Sequence, residues 1–129
     1  MKPALGALVL AASARVLACP AAADVAQADL LGTWHAQVDG GPAVSLTLQK
    51  HPEFAETVRG FVERDGRRIA VAGDVDDGEF TLEESDDGRR ISATWLGDVV
   101  EGSCGREIRG RWQAEGTLVE RPFVLRKRP

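Results

Sequence analysis

Cysteine, histidine and paired carboxylates are the residue types here that could carry chemistry, and their spacing decides what each could do. Cys104, in Gly102-Ser103-Cys104-Gly105, would need His35 or His51 as a base to act as a nucleophile, and neither stands near it in the chain. Serine catalysis lacks its Gly-x-Ser-x-Gly elbow. Asp74, Asp76, Asp77 and Glu79 form an acidic cluster, but their spacing does not match a calcium loop with its terminal Glu. Asp-Asp-Gly recurs at Asp86 to Gly88, so hairpin-turn chemistry accounts for both clusters. Two histidines and Cys104 at unrelated spacings do not compose a zinc site. The expectation is a protein that is not an enzyme and holds no metal or cofactor.

Trp34, Trp95 and Trp112 are more suggestive, because each falls in register with the apolar members of its own segment. Rings in that register converge inside a folded sheet. They could wall a ligand pocket, since an indole buries a large apolar area and keeps a polar handle. They could equally fill a core, and both readings stay open. Phe54, in the segment His51 to Thr57, is a candidate partner-contacting residue, as is the stretch Asp24 to Leu31.

The elements that must position these residues follow from alternation broken by turn residues. Trp34, Ala36 and Val38 share one face of a first strand, and Val44, Leu46 and Leu48 one face of a second. Val58, Gly60 and Val62 line a third; Asp65-Gly66 is a hairpin signal; Ile69, Val71, Gly73 and Val75 line a fourth. Phe80 and Leu82 mark a fifth, and Ile91, Ala93 and Trp95 the inner face of a sixth, followed by a loop from Asp98 to Gly105. Ile108, Gly110 and Trp112 belong to a seventh, and Phe123 and Leu125 to a last, with Pro122 near its start. Helical spacing is absent after residue 24 apart from the short stretch to Leu31. The pattern predicts an all-β domain, a single antiparallel up-and-down barrel of eight strands, with a two-sheet sandwich as the alternative. Gly60, Gly73, Gly97 and Gly110 inside strands fit the sharp bends of a small closed barrel.

Residues 1–23 differ from the rest. Lys2, the apolar run Ala4 to Ala12 and the small residues Ala21-Ala22-Ala23 have the three-part layout of a signal peptide, leaving a domain over 24–129. The run is short of the roughly 20 residues of a transmembrane helix. Two other readings concern the cysteines. Val16-Leu17-Ala18-Cys19 read as a lipobox makes Cys19 an acylated anchor, whereas cleavage after Ala14 retains both cysteines and allows a disulfide. Loss of residues 1–23 removes Lys2 and Arg15 and no acid, so 14 basic side chains face 20 acidic ones, a net charge of −6. That balance disfavours nucleic acid and anionic membranes as partners.

Leu30-Leu31-Gly32-Thr33-Trp34 resembles the Gly-x-Trp opening of calycin-type barrels, which include lipocalins, avidins and small periplasmic inhibitors of bacterial metalloproteases. Ala93-Thr94-Trp95-Leu96-Gly97, then Ile108 and Trp112, is similar to the late-strand tryptophan pattern of avidins. Ala36 and Gly40-Gly41 stand where avidins place polar biotin-binding side chains, and tyrosine is absent, so biotin is not expected. The leader-like layout of residues 1–23 and the inward tryptophans together give the expectation of a periplasmic or secreted binding protein, or a membrane-anchored lipoprotein. Its expected ligand is a small hydrophobic molecule in the barrel interior, lined by Trp34, Trp95 and Trp112. The alternative is a protein-binding module, such as a periplasmic enzyme inhibitor, or an envelope structural lipoprotein.

Overall fold

The computed structural model describes residues 3–10 and 18–129. Lys2, Arg15, the cleavage position after Ala14 and the Val16-Leu17 part of the lipobox lie outside the described residues. Alternation and tight turns produce the expected barrel. The strands are β1 (Gly32–Val38), β2 (Val44–Lys50), β3 (Val58–Arg64), β4 (Arg67–Asp76), β5 (Glu79–Ser85), β6 (Ala93–Val99), β7 (Glu107–Ala114) and β8 (Glu120–Lys127). Each pairs antiparallel with its sequence neighbour, and β8 closes on β1 through pairs such as Ala36 with Leu125. Closure leaves no edge strand among the described residues to template association.

Turn chemistry sets the register. Asp65-Gly66 and Asp77-Gly78 both hold positive φ at their two central residues, as a type I′ hairpin requires. The inward positions are those the alternation marks, and Leu46, Leu48, Val62, Val71, Phe80, Leu82, Ile108 and Leu125 make the core with Trp34 and Trp95. Large and small residues face one another across strands: Phe80 opposes Gly97, and Gly110 opposes Phe123. The Phe123 ring meets Trp95 edge-on at 5.0 Å. At Gly60 the strands approach so closely that a Cβ would overlap the Thr47 carbonyl.

Two boundaries differ from the sequence reading. Ile91 does not join the inner face of β6; it is exposed in the connection 86–92. The Asp87 carboxylate accepts the backbone N–H of Arg89 and of Arg90, which holds that stretch as a loop until Ala93. The loop after β6 starts later than Asp98, because Asp98 and Val99 still pair with Arg109 and Ile108.

The barrel has two unlike ends. One is covered by an N-terminal strap whose 3-10 turns span Ala22–Asp24 and Gln27–Leu30. The other, the mouth, is where β1, β3, β5 and β7 end.

Candidate functional site: the mouth of the barrel

Inward alternation does not stop at apolar residues. Along β5 the sequence Phe80, Leu82, Glu84 keeps one face, so a carboxylate enters the barrel below the mouth, and Glu84 is only 1% exposed. Along β3 the same rule carries Val58, Gly60 and Val62 to Arg64. A buried charge must be paired and hydrogen-bonded. Arg64 Nη1 donates to Glu84 Oε1 at 2.8 Å and Nη2 to Oε2 at 3.2 Å, a forked pair. Oε2 also accepts the indole N–H of Trp95 at 2.8 Å and of Trp112 at 2.7 Å.

Burial pushes the Glu84 carboxyl up. The Arg64 guanidinium, the Trp112 and Trp95 indoles and the Arg64 charge together outweigh it and hold the carboxyl below its ordinary value. The Arg64 hydrogen bond to Glu84 raises the guanidinium in turn. Glu84 is therefore an anion and the cluster is internally neutral. Its geometry fixes both indoles by their nitrogens, and the Arg64 guanidinium carbon lies 5.6 Å from the centre of the Trp112 ring.

Trp112 is half-buried, and its ring forms part of a cavity of about 410 Å³. The other lining residues are Val38, Arg64, Ala114, Thr117, Val119 and Arg121. Arg121 stands 3.7 Å from Asp39 in an exposed pair. The lining is thus an indole face, aliphatic carbons and two guanidinium groups. It can bury an apolar body and offer hydrogen-bond donors at the rim.

The three tryptophans of the sequence reading do not share one site. Trp95 and Trp112 oppose one another across β6 and β7 and meet on Glu84. Trp34 lies at the strapped end, fully buried, donating its indole N–H to the Leu30 carbonyl at 2.9 Å, with Lys127 Nζ 5.9 Å from its ring centre. Phe54 is 59% exposed at the strapped end, beside His51 at 4.9 Å between ring centres. His51 Nδ1 accepts the N–H of Glu53 and of Phe54, and His35 Nε2 accepts from Arg128 Nε. Neither histidine hydrogen-bonds to Cys104, whose sulfur is bonded to Cys19. A sulfur in a disulfide is not a free nucleophile. Asp74, Asp76 and Glu79 lie on strands flanking the Asp77-Gly78 turn, and no group of three or more potential metal ligands gathers among the described residues.

Sequence reasoning missed Glu84 and Arg64, although the period of two carries into their positions. The fold is a closed eight-stranded up-and-down barrel, an architecture consistent with the calycin-like group. The chain matches no protein-family model and no curated protein. Among the described residues no helix is long and apolar enough to cross a membrane.

Proposed function

We propose that this is an exported, non-enzymatic binding protein that takes a small molecule with an apolar body at the mouth of its barrel. One observation carries the reading: a cavity of about 410 Å³ opens onto the Trp112 ring, a size within the range of small-molecule sites. Trp34 and Trp95 are wholly buried among Leu, Val and Phe side chains, so the mouth and not the barrel centre is the seat of this proposal. Trp112 is the residue of the three that would touch ligand, and Val38, Ala114 and Val119 would flank it.

The test uses 1-anilinonaphthalene-8-sulfonate, an apolar fluorophore, titrated against the folded protein. Saturation at one probe per barrel with quenching of tryptophan emission is expected, and Ala114→Trp, which fills the cavity from the end of β7, should abolish it with an unchanged far-ultraviolet spectrum. No saturation in the parent, or undiminished binding in the variant, refutes the reading. A second reading, a protein partner at the strapped end, is favoured only by the exposed Phe54 ring. A photo-crosslinker at position 54 that yields no adduct in the native compartment would dismiss it.

A further inference from the structure

The strap belongs to the folded domain. Leu30 is fully buried and Val25 nearly so. The Gln27 side chain completes the end of β4 from outside, donating to the Val75 carbonyl at 2.6 Å and accepting the Val75 N–H at 3.0 Å. Lys127 Nζ donates to the Asp29 carbonyl at 2.7 Å, tying the strap to the last strand. Upstream of these contacts the chain still follows the barrel. The β4–β5 turn lies so near Ala22 that a Cβ at Gly78 would come within 3.2 Å of its carbonyl oxygen. A Cβ at Gly105, in the β6–β7 loop, would come within 3.1 Å of Val25. Cys19 then bonds Cys104 in that loop, with the two Cα atoms 5.1 Å apart. That separation is an ordinary one for a disulfide.

We infer that the mature protein retains Cys19 and that any export leader is cut ahead of it, so that a Cys19–Cys104 disulfide pins the strap across one end of the barrel. Cleavage after Ala23 would remove one sulfur, cut through the turn Ala22–Asp24 and strand Cys104 alone in the β6–β7 loop. Acylation would consume the Cys19 sulfur with the same result for Cys104. Both alternatives forgo the covalent tie between the strap and the β6–β7 loop beneath it. The bond needs an oxidant, and the chemical class is a disulfide donor of the thiol–disulfide exchange type. One cysteine thiolate attacks the donor disulfide, and the second thiolate displaces the donor sulfur. The two protein thiols are oxidised and the donor is reduced to two thiols. Such donors operate in exporting compartments, which is consistent with the leader-like composition of residues 1–23.

The inference is independent of what binds at the mouth. The full-length chain would be expressed in a bacterium with an oxidising envelope and recovered from that compartment for intact mass and peptide mapping. The expected result is a first residue upstream of Cys19, a mass increase of two hydrogens on reduction, and a non-reduced peptide joining Cys19 to Cys104. A mature chain beginning at Asp24, or at a diacylglyceryl Cys19, overturns the inference. Thermal unfolding supplies a second readout. Cys19→Ser, Cys104→Ser and the double variant should share one lowered Tm, equal to that of the reduced parent and insensitive to reductant. A parent whose Tm ignores reductant, or single variants with unlike losses, would also overturn it.

Discussion

Replacing Glu84 by glutamine tests whether the mouth rests on an ion pair or only on a hydrogen-bonded polar group. Both indoles donate to Oε2, and Arg64 Nη1 donates to Oε1. In Glu84→Gln, an amide oxygen at the Oε2 position keeps both tryptophans, but the amide nitrogen then faces Arg64 Nη1, donor against donor. The opposite rotamer sets the amide nitrogen against two indole N–H groups, which is worse. Removing one partner of a buried pair costs about 3–5 kcal/mol. The Arg64 side chain is 29% exposed and can swing toward water, which places Glu84→Gln near the lower end, about 3 kcal/mol. Arg64→Met alone leaves a buried carboxylate held by two indoles and should cost a similar amount.

The double variant separates the explanations. With the guanidinium gone, the amide oxygen of the introduced glutamine still serves both indoles and its nitrogen points into the mouth toward water, so the donor clash disappears. Relative to the parent the loss should shrink to about 1–2 kcal/mol, the scale of one or two net hydrogen bonds. Arg64→Met, harmful in the parent, should thus stabilise Glu84→Gln. Urea unfolding followed by tryptophan fluorescence gives each value, provided the slope with urea stays constant across the set. Additive losses, with the double variant weakest of all, would refute the assignment of a coupled ion pair.

Acid should act through the same group. In the unfolded chain Glu84 titrates near its ordinary value of about 4.3, and in the folded protein it lies lower, so its stabilising effect is complete above about pH 4.3 and is lost as pH falls through the folded value. The Tm of the parent should therefore fall more steeply below about pH 4 than that of the variant carrying both Glu84→Gln and Arg64→Met, and parallel curves would contradict this. Gly60→Ala should destabilise by about 3 kcal/mol or more in chemical denaturation, because its Cβ meets the Thr47 carbonyl, backbone that cannot turn aside. Gly116→Ala, at positive φ with open space around it, should cost only about 1–2 kcal/mol, and equal losses would mean that close approach is not what position 60 demands.

Alternation is enough to read the strands and their inward faces, whereas the choice of a barrel over a sandwich is made by the pairing of β8 with β1. Trp34 and Ala36, Leu46 and Leu48, Ile69 and Val71, and Phe123 and Leu125 all point inward as their spacing requires. The mouth is harder to read because a charged residue on a strand ordinarily faces water. Leu82 and Val62 announce themselves as inward by their apolarity, whereas Glu84 and Arg64, two residues farther along the same faces, look like surface charges. Opposite charges at inward positions near the same end of two strands are the available signal. The docking of the strap is illegible for another reason. The short helical spacing up to Leu31 marks its second turn, but its docking on the barrel comes from contacts distant in sequence, Gln27 with Val75 and Cys19 with Cys104, which no local period announces.

An apolar residue at position 84 would pack the barrel without a desolvated charge, and such replacements are often neutral or stabilising. It would also leave the N–H of Trp95, a fully buried ring, with no acceptor, and would free Trp112 to turn about its side-chain bonds. A carboxylate accepts from both indoles at once and still has an oxygen left for a guanidinium, which a single apolar or hydroxyl side chain cannot match. It then requires a cation, and Arg64 supplies one from the rim while adding its own surface to the cavity. The polar cluster thus orders the floor of the mouth. With its nitrogen committed inward, Trp112 can present only carbon to whatever enters, and this is the physical reason for assigning the mouth to a ligand with an apolar body.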